Sequence, residues 1–200
     1  MPNTYHIFDR QRVKQHRDRA AARLGESDFL LREMAERLAD RLPDIIRDFP
    51  VALNLGAHNG MLAEYVKGKG GIKTLVQMDL SYSLLCHPCF RGNDNLKIVA
   101  DEEFLPFAEN SFDLVMSAGS LHWVNDLPGT LIQIHRLLKP DGLFLAMLPG
   151  GGTLKELRRS FEQAELAVSG GLSPRISPFI EVKDAGSLLQ RAGFCHAGDR

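Results

Sequence analysis

Short apolar runs alternate with segments of helical periodicity from Val51 onward, a pattern typical of a parallel sheet with helices on both faces. The apolar runs predict strands near residues 51–55, 72–78, 96–100, 112–116 and 142–148. The intervening segments predict helices near residues 61–68, 82–87, 127–138, 154–168 and 185–192. Ligands of such sheets bind beyond the carboxyl ends of the strands. The residues that follow each strand are therefore the candidate site.

Several of these helices carry boundary signals. The helix predicted near residues 127–138 carries a stripe of leucine and isoleucine side chains, and Pro140 should end this helix. Thr153 and Glu156 have the spacing of a capping box. Asp184 is expected to cap the last helix, which Gly193 should end.

The first 48 residues show no strand pattern and predict two helices. Between Arg10 and Leu24 there are six basic residues against one acid, which favours a solvated helix face, with an anionic partner or a ligand carboxylate as the alternative. Ser27 is a suitable N-cap for a second, amphipathic helix that ends before Pro43. We expect residues 1–48 to form a helical cap and residues 49–200 a Rossmann-like core in a single domain.

Composition indicates one soluble domain. The chain has 200 residues, a hydrophobic content of 44% and a formal net charge of −1, so nothing in its overall charge favours nucleic acid as a partner. No apolar run approaches the ~20 residues that span a bilayer, so stable membrane insertion is not expected. Three cysteines are too few for a disulfide framework. These features favour the bacterial cytoplasm or, for a eukaryotic protein, the mitochondrial matrix.

The segment from Val51 to Gly60 is typical of a strand, a tight turn and a helix start. Gly56 and Gly60 allow the backbone to approach a ligand closely, and the helix that opens at Met61 should offer free N–H groups. A second apolar run ends at Asp79, an acid placed to bind the diol of a ribose. The combination predicts a nucleotide-type site.

Two further strand ends supply candidate ligand contacts. Asp101 could accept a hydrogen bond from an exocyclic amine while the backbone N–H of Glu102 meets a ring nitrogen, an arrangement that would select adenine; a solvated acidic turn is the alternative. The full set of candidate cofactor-binding residues is Asn54, Gly56, Ala57, His58, Gly60, Asp79, Leu80, Asp101, Glu102, Ser117 and Ala118.

Residues 54–60 resemble motif I of the class I methyltransferases that depend on S-adenosylmethionine. The usual motif is an acid, an apolar residue and then Gly-x-Gly-x-Gly; here Asn54 replaces the acid and His58 the middle glycine. Asn54 supplies an amide without charge, and His58 places a ring where the family brings bare backbone to the cofactor. The resemblance implies S-adenosylmethionine or S-adenosylhomocysteine as the cofactor. A non-catalytic binding protein that retains the fold is a further alternative.

Motifs along nearly the whole chain are similar to one subfamily of this fold. They include residues 7–10, 100–107, 111–115, 120–128, 138–142, 152–158 and 173–179. The subfamily contains the mitochondrial complex I assembly factor that hydroxylates an arginine, and malonyl-carrier-protein methyltransferases are more distant relatives. The resemblance therefore implies methyl transfer to an unknown acceptor, which could be a protein, with arginine hydroxylation and complex I assembly as the alternative.

The same fold normally finishes with two further strands that form an antiparallel edge. The chain up to Arg200 contains no sequence for them, so we expect a core that is incomplete at its C-terminal end. Either the product is truncated or another element supplies the edge. An exposed apolar edge would favour a homodimer.

His122 is the candidate general base, because it follows the fourth strand and an imidazole has a suitable pKa. The alternative is that His122 and Trp123 only close the pocket. We predict no metal site: Cys86 and Cys89 fall at the end of a helix rather than at its start, which disfavours both redox and zinc roles. In the loop of residues 169–179, Arg175 could face an acidic or planar group of the substrate.

Overall fold

The computed structural model describes residues 6–87 and 96–194. Within these ranges one five-stranded sheet has the strand order β3-β2-β1-β4-β5, and every pair of neighbouring strands is parallel. The strands are β1 (Val51–Leu55), β2 (Thr74–Asp79), β3 (Leu96–Val99), β4 (Phe112–Ala118) and β5 (Leu138–Met147). The helices are α1 (Arg10–Ala20), α2 (Phe29–Ala39), α3 (Met61–Tyr65), α4 (Tyr82–Leu85), α5 (Leu127–Leu137), α6 (Lys155–Ser169) and α7 (Val182–Arg191).

Helices cover both faces of the sheet. Alternate side chains of each strand point to opposite faces and pack against the helices there. Ala52, Leu114 and Met116 pack in one apolar cluster with buried residues of α2 and α3. Leu53 and Val115 pack in a second cluster with α5 and partly buried residues of α7. The predicted architecture, a Rossmann-like parallel sheet with helices on both faces and helices before it, is confirmed.

Helix α1 differs from the other early helices because it contributes almost no apolar packing. Arg17 is its one buried residue, whereas Met34, Ala35, Leu38 and Ala39 of α2 are all buried. The predicted helix from Arg10 to Leu24 ends its α-helical part at Ala20 and continues as a 3₁₀ segment, Ala21–Glu26. Helix α1 is therefore attached to the domain mainly by polar contacts.

The junction between α5 and β5 lies earlier than predicted. The helix ends at Leu137, and Leu138 already pairs with Phe112 of β4, so β5 begins at residue 138 rather than 142. Pro140 disrupts the ladder only locally: the register shifts between Phe112 and Leu114 and then continues regularly.

Three predicted helix caps are wrong. Asp28, not Ser27, is the N-cap residue of α2 and makes no side-chain capping bond. Leu154, in a left-handed conformation, precedes α6, so Thr153 and Glu156 form no capping box. Helix α7 begins after Glu181, which places Asp184 inside its first turn.

The predicted Cys-x-x-Cys segment is only partly covered, because Cys89 and Cys195 lie outside the described residues. Cys86 is an exposed free thiol. Over the described ranges, none of the helices combines the length and the apolar character that crossing a membrane requires.

Candidate functional site

The turn after β1 packs directly against residues that follow the other strands. Gly56 has a φ of 72°, and a Cβ built on it would lie 2.1 Å from Cβ of Ser120 and 3.5 Å from Oε1 of Glu102. Only glycine fits this position, for both conformational and steric reasons. The turn, the segment after β3 and the segment after β4 thus meet at the carboxyl edge of the sheet.

Asp79, at the end of β2, is completely buried beside this turn. Its Oδ2 accepts a hydrogen bond from the backbone N–H of His58 at 3.0 Å. Its Oδ1 accepts from the backbone N–H of Ser81 at 2.8 Å and from Nη1 of Arg17 at 3.2 Å. The structure therefore brings the glycine turn and Asp79 together.

The backbone N–H groups of the turn were expected to be free to donate to a ligand, and three of them are not. The N–H groups of Gly56 and Ala57 both donate to the carbonyl oxygen of Met78, at 2.8 and 2.9 Å, and that of His58 donates to Asp79. Gly60, with a φ of 80°, opens α3, which has only five residues. These three amides hold the turn against β2.

Glu102 is the second buried acid of the site. Its Oε1 accepts from Nη1 of Arg17 at 2.6 Å and from the hydroxyl of Ser120 at 2.5 Å. Burial alone would raise the pKa of Glu102, but the charges of Arg17 and Arg10 hold it well below the usual range. The side chain of Glu102 is therefore ionised and fully paired, whereas the sequence had suggested only a role for its backbone.

Arg17 lies at the centre of this cluster and is 9% exposed. Besides the two acids, its Nη2 donates to the hydroxyl of Ser120 at 3.0 Å. Burial would lower the pKa of Arg17, but the charges of Glu102 and Asp79 outweigh it and raise that pKa. We refer to Asp79, Glu102 and the Ser120 hydroxyl as the acid cradle around Arg17.

Arg10 makes a similar set of contacts from the same helix. It donates to Asp101 from both Nη2, at 2.6 Å, and Nε, at 3.1 Å, to the carboxylate of Glu102, and from Nη1 to the carbonyl oxygen of Trp123 at 2.8 Å. Asp101 is thus not a solvated acidic turn. The interpretation of the basic segment as a solvated face is wrong for Arg10 and Arg17.

Sequence reasoning missed Arg10, Arg17 and Ser120. A signal was present for the two arginines: they are seven residues apart, which places them on the same face of a helix. Ser120 gave no such signal, because a serine after a strand is common.

Several buried polar atoms near Asn54 have no partner. The amide nitrogen of Asn54 donates to Oε1 of Gln77 at 2.7 Å, but its oxygen is unpaired. Oδ1 of Asn59 and Nε2 of His58 are also buried without a partner. All three residues line a cavity of about 10 Å³ beside Gly56 and Ala118. The lowered pKa of His58, caused mainly by burial, keeps its imidazole neutral.

Of the remaining predicted contacts Ala118, Ser117 and Leu80, one lies at this cavity and two do not. Ala118 lines it, while Ser117 is buried with an unpaired hydroxyl and lies one residue earlier on β4, where side chains point to the opposite face. Leu80 follows Asp79 and is half-buried.

His122 lies in an aromatic group at the end of β4. Its ring centroid is 5.1 Å from that of Trp123 and 6.1 Å from that of Phe179, and Phe8 packs edge-on against Trp123 at 5.3 Å. Burial, followed by the nearby His58 and Arg17, lowers the pKa of His122 to about 4. Nδ1 of this ring is buried without a partner. His122 is therefore neutral at physiological pH.

Phe179 also lines a larger cavity of about 540 Å³, together with Ile7, Phe161 and Pro178. Arg158 and Arg175 add charge to its wall. Nε of Arg175, an exposed side chain, donates to Glu165 at 2.6 Å, and the role of Arg175 toward a substrate stays a prediction. The aromatic group thus lies between the carboxyl edge of the sheet and an apolar cavity.

Comparison with known proteins agrees with this geometry. Residues 53–146, which span β1 to β5, match the family described as a methyltransferase domain. Residues 53–146 therefore resemble a methyltransferase domain, and the chain has the class I methyltransferase fold. The methyltransferase in complex with the Haloferax volcanii Trm112 activator superposes with a TM-score of 0.72 at 21% identity, covering 90% of this chain and 75% of that one. The cyclase SpnF superposes with a TM-score of 0.65 at 19% identity, and the match covers 92% of this chain and 72% of the SpnF chain.

The chain has curated relatives with two different named activities. It is 49% identical over 196 residues to human arginine-hydroxylase NDUFAF5, mitochondrial, covering 96% of this chain and 56% of that protein. It is 31% identical over 199 residues to malonyl-(acyl-carrier protein) O-methyltransferase from Gallionella capsiferriformans, covering 94% of this chain and 66% of that protein. The chain thus spans little more than half the length of the human relative.

Proposed function

We propose that this chain binds S-adenosylmethionine at the carboxyl edge of its sheet and transfers the methyl group to an acceptor. The observation that carries the proposal is the convergence of the Gly56 turn with the two buried acids that follow β2 and β3, Asp79 and Glu102. A cofactor of this kind combines a ribose diol, an adenine and an amino-acid group. Each has a matching feature at this edge of the sheet.

The unpaired buried atoms support the fit. The side-chain oxygens of Asn54 and Asn59 are buried and accept no hydrogen bond from the described residues. The ammonium group of the cofactor's amino-acid part could donate to both. Asn54 can therefore replace the acid of the usual motif through its amide oxygen. His58 does not repel the ammonium group, because its imidazole is neutral. Its ring does narrow the cavity.

The group next to the reacting end would be His122. S-adenosylmethionine supplies an electrophilic methyl group on a sulfonium, so much of the rate enhancement comes from positioning an acceptor. His122 is neutral and its buried Nδ1 has no partner among the described residues, so it could accept a hydrogen bond that positions the acceptor. A pKa of about 4 makes His122 a weaker general base than the sequence suggested. The aromatic rings of Trp123 and Phe179 would exclude water around it, and the cavity of about 540 Å³ beyond Phe179 would admit the acceptor.

Arginine hydroxylation is the second candidate, and the observation that favours it is the 49% identity to human arginine-hydroxylase NDUFAF5. The 31% identity to an O-methyltransferase favours the first candidate. Since that hydroxylase relative is named mitochondrial, we propose a mitochondrial matrix location if the source is eukaryotic, and the cytoplasm if it is bacterial. Loss of catalysis with retention of the fold is the third candidate.

Calorimetric titration with S-adenosylmethionine and S-adenosylhomocysteine tests the binding step. We expect micromolar affinity for both and a loss of about tenfold or more in Asp79→Asn, because two charge-assisted bonds to a diol contribute about 1.5–3 kcal/mol each. Asp113→Asn is the matched control. Asp113 contacts Val51 and Lys139 near the opposite end of β4, so its loss should leave affinity unchanged. Absence of binding to the wild-type protein at high micromolar concentration would leave only the non-catalytic candidate.

Mass spectrometry of a protein acceptor incubated with the bound cofactor separates the two reactions. Methyl transfer adds the mass of a methylene group and yields S-adenosylhomocysteine in equal amount. Hydroxylation adds the mass of one oxygen atom and yields no S-adenosylhomocysteine; it needs an oxidant such as O₂ and two electrons from a reductant, so both are added to the incubation. Detection of the oxygen adduct alone would overturn methyl transfer as the leading function.

A further inference from the structure

The acid cradle is already occupied by a cation of this chain. Arg17 donates to Asp79, Glu102 and Ser120 at once, at 3.2, 2.6 and 3.0 Å. Asp79 is completely buried, and three donors use its two oxygens. A carboxylate has about four acceptor positions, so a diol that needs two of them finds one at most. Arg17 and a ribose cannot both bind Asp79 in this arrangement.

The volume beside the glycine turn leads to the same conclusion. The cavity there holds about 10 Å³, whereas sites for molecules of cofactor size enclose roughly 300–1,000 Å³. Helix α1 covers the acids, and Leu31 and Ala35 of α2 line the cavity. Some of this cover must move before a cofactor can enter.

Helix α1 is held to the site by polar contacts rather than by apolar packing. Its attachments on the cradle side are polar: Arg10 to Asp101 and Glu102, Arg17 to the cradle, and Asp18 to the Ser81 hydroxyl. Arg17 is its only buried residue, so withdrawing it exposes little apolar surface. The 3₁₀ segment that follows contains Gly25, around which a Cβ would meet nothing within 4 Å.

We propose that Arg17 is an autoinhibitory latch: its guanidinium competes with the cofactor's ribose for Asp79, and α1 must withdraw it before the cofactor binds. The inference rests on the proposed function, since it requires that Asp79 be a cofactor contact. The latch makes the binding-competent state a fraction of the population and lowers the apparent affinity by that fraction. It couples cofactor entry to the position of the N-terminal helix.

Arg17→Gln tests the latch. We expect it to bind S-adenosylhomocysteine roughly fivefold or more tightly than the wild-type protein, because the competitor is gone. Arg19→Gln is the matched control: Arg19 is on the same helix and is exposed, and among the described residues its side chain bonds to the carbonyl oxygen of Gln15 alone, so affinity should not change. Weaker binding by Arg17→Gln would make Arg17 part of the cofactor site and would overturn the latch. Unchanged affinity would also overturn the latch.

A crosslink tests the same inference without removing a charge from the cradle. Asp18→Cys with Ser81→Cys, made with the three natural cysteines replaced by serine and joined by a short thiol-reactive crosslinker, should tie α1 to the start of α4, because these two side chains are in contact. The crosslinked form should bind S-adenosylhomocysteine at least about tenfold more weakly than the same variant without the crosslink. Equal affinity of the two forms would overturn the latch. Failure of wild-type protein to bind at all would instead overturn the proposed function.

Discussion

At the residue scale, the site divides into residues whose role follows from local spacing and residues whose role depends on distant partners. Asp79 could be predicted, because a lone acid that closes an apolar run lies at the ligand-binding edge of a parallel sheet. The spacing of Arg10 and Arg17 indicates a shared helix face, but the partners of Arg17 could not be predicted, because Asp79 and Glu102 are 62 and 85 residues away. The same arginine would be read as a solvated charge on almost any polar helix. The distinction is physical: charge pairing is set by tertiary placement, not by neighbours in sequence.

Gly56 shows how tightly the turn is packed, and Gly56→Ala should be strongly destabilising. A left-handed φ alone costs an alanine about 1–2 kcal/mol. At Gly56 the new Cβ would also meet Cβ of Ser120 at 2.1 Å, which should add about 1–3 kcal/mol from overpacking. Denaturant unfolding followed by circular dichroism measures the difference.

Gly68→Ala provides the control for that measurement. Gly68 has a φ of 75°, close to the 72° of Gly56, but nothing lies within 4 Å of a Cβ built there. It should therefore show the conformational cost without the steric one. If both variants lose the same stability, the close contact between the turn and Ser120 is not the reason that glycine is required.

At the element scale, the positions of the elements followed from the sequence more closely than the helix caps. β1 matches its predicted limits, because a buried parallel strand is an apolar run with a sharp boundary. The predicted caps of α2, α6 and α7 were wrong, since Asp28, Leu154 and Glu181 precede these helices and none makes a side-chain capping bond. Asp28 is a usual type of capping residue, but its carboxylate accepts hydrogen bonds from Arg32 and Asn59 instead.

Helix α5 is a case where the cap is formed, and Asp126→Ala should show its contribution. Asp126 precedes α5 and accepts a hydrogen bond from the backbone N–H of Gly129 at 2.9 Å. Its removal should lower the free energy of unfolding by about 0.5–2 kcal/mol. Glu181→Ala at the start of α7 is the matched control and should change stability by less, since Glu181 makes no capping bond. An equal loss in both would show that Asp126 acts through something other than the cap.

At the scale of the whole molecule, the alternation of apolar strands and helices was sufficient to predict the fold class. The strand order is a further consequence of how parallel strands are connected through helices. The closure of the site was not predictable in this way. It depends on two arginines of α1, the buried Arg17 and the half-buried Arg10, which neutralise part of a cluster of acids drawn from different strand ends. Such a cluster is costly to bury unless it is fully paired, so it ties the stability of the whole molecule to pH.

Stability should therefore fall steadily as pH is lowered from neutrality. The pKa of His122 is about 4 in the folded protein, below its value of 6.5 when exposed, so the unfolded chain takes up this proton first as pH falls below 6.5. His58, whose pKa is also lowered, adds to the same effect. Below pH 4.5 the unfolded chain also protonates Glu102, whose folded pKa is lower. All three groups favour unfolding at acidic pH, and the raised pKa of Arg17 has no effect in this range.

Urea unfolding at a series of pH values measures this profile, and two variants assign its parts. His122→Asn should flatten the decline between pH 6.5 and 4 without affecting the part below it. Glu102→Gln should be less stable than wild type at pH 7, because it removes the partner of Arg17, and should lose less on further acidification. A wild-type profile that is flat from pH 7 to 4 would mean that His122 and His58 are accessible to protons in the folded state. The aromatic group at the end of β4 would then be open to solvent and could not exclude water from a reacting centre.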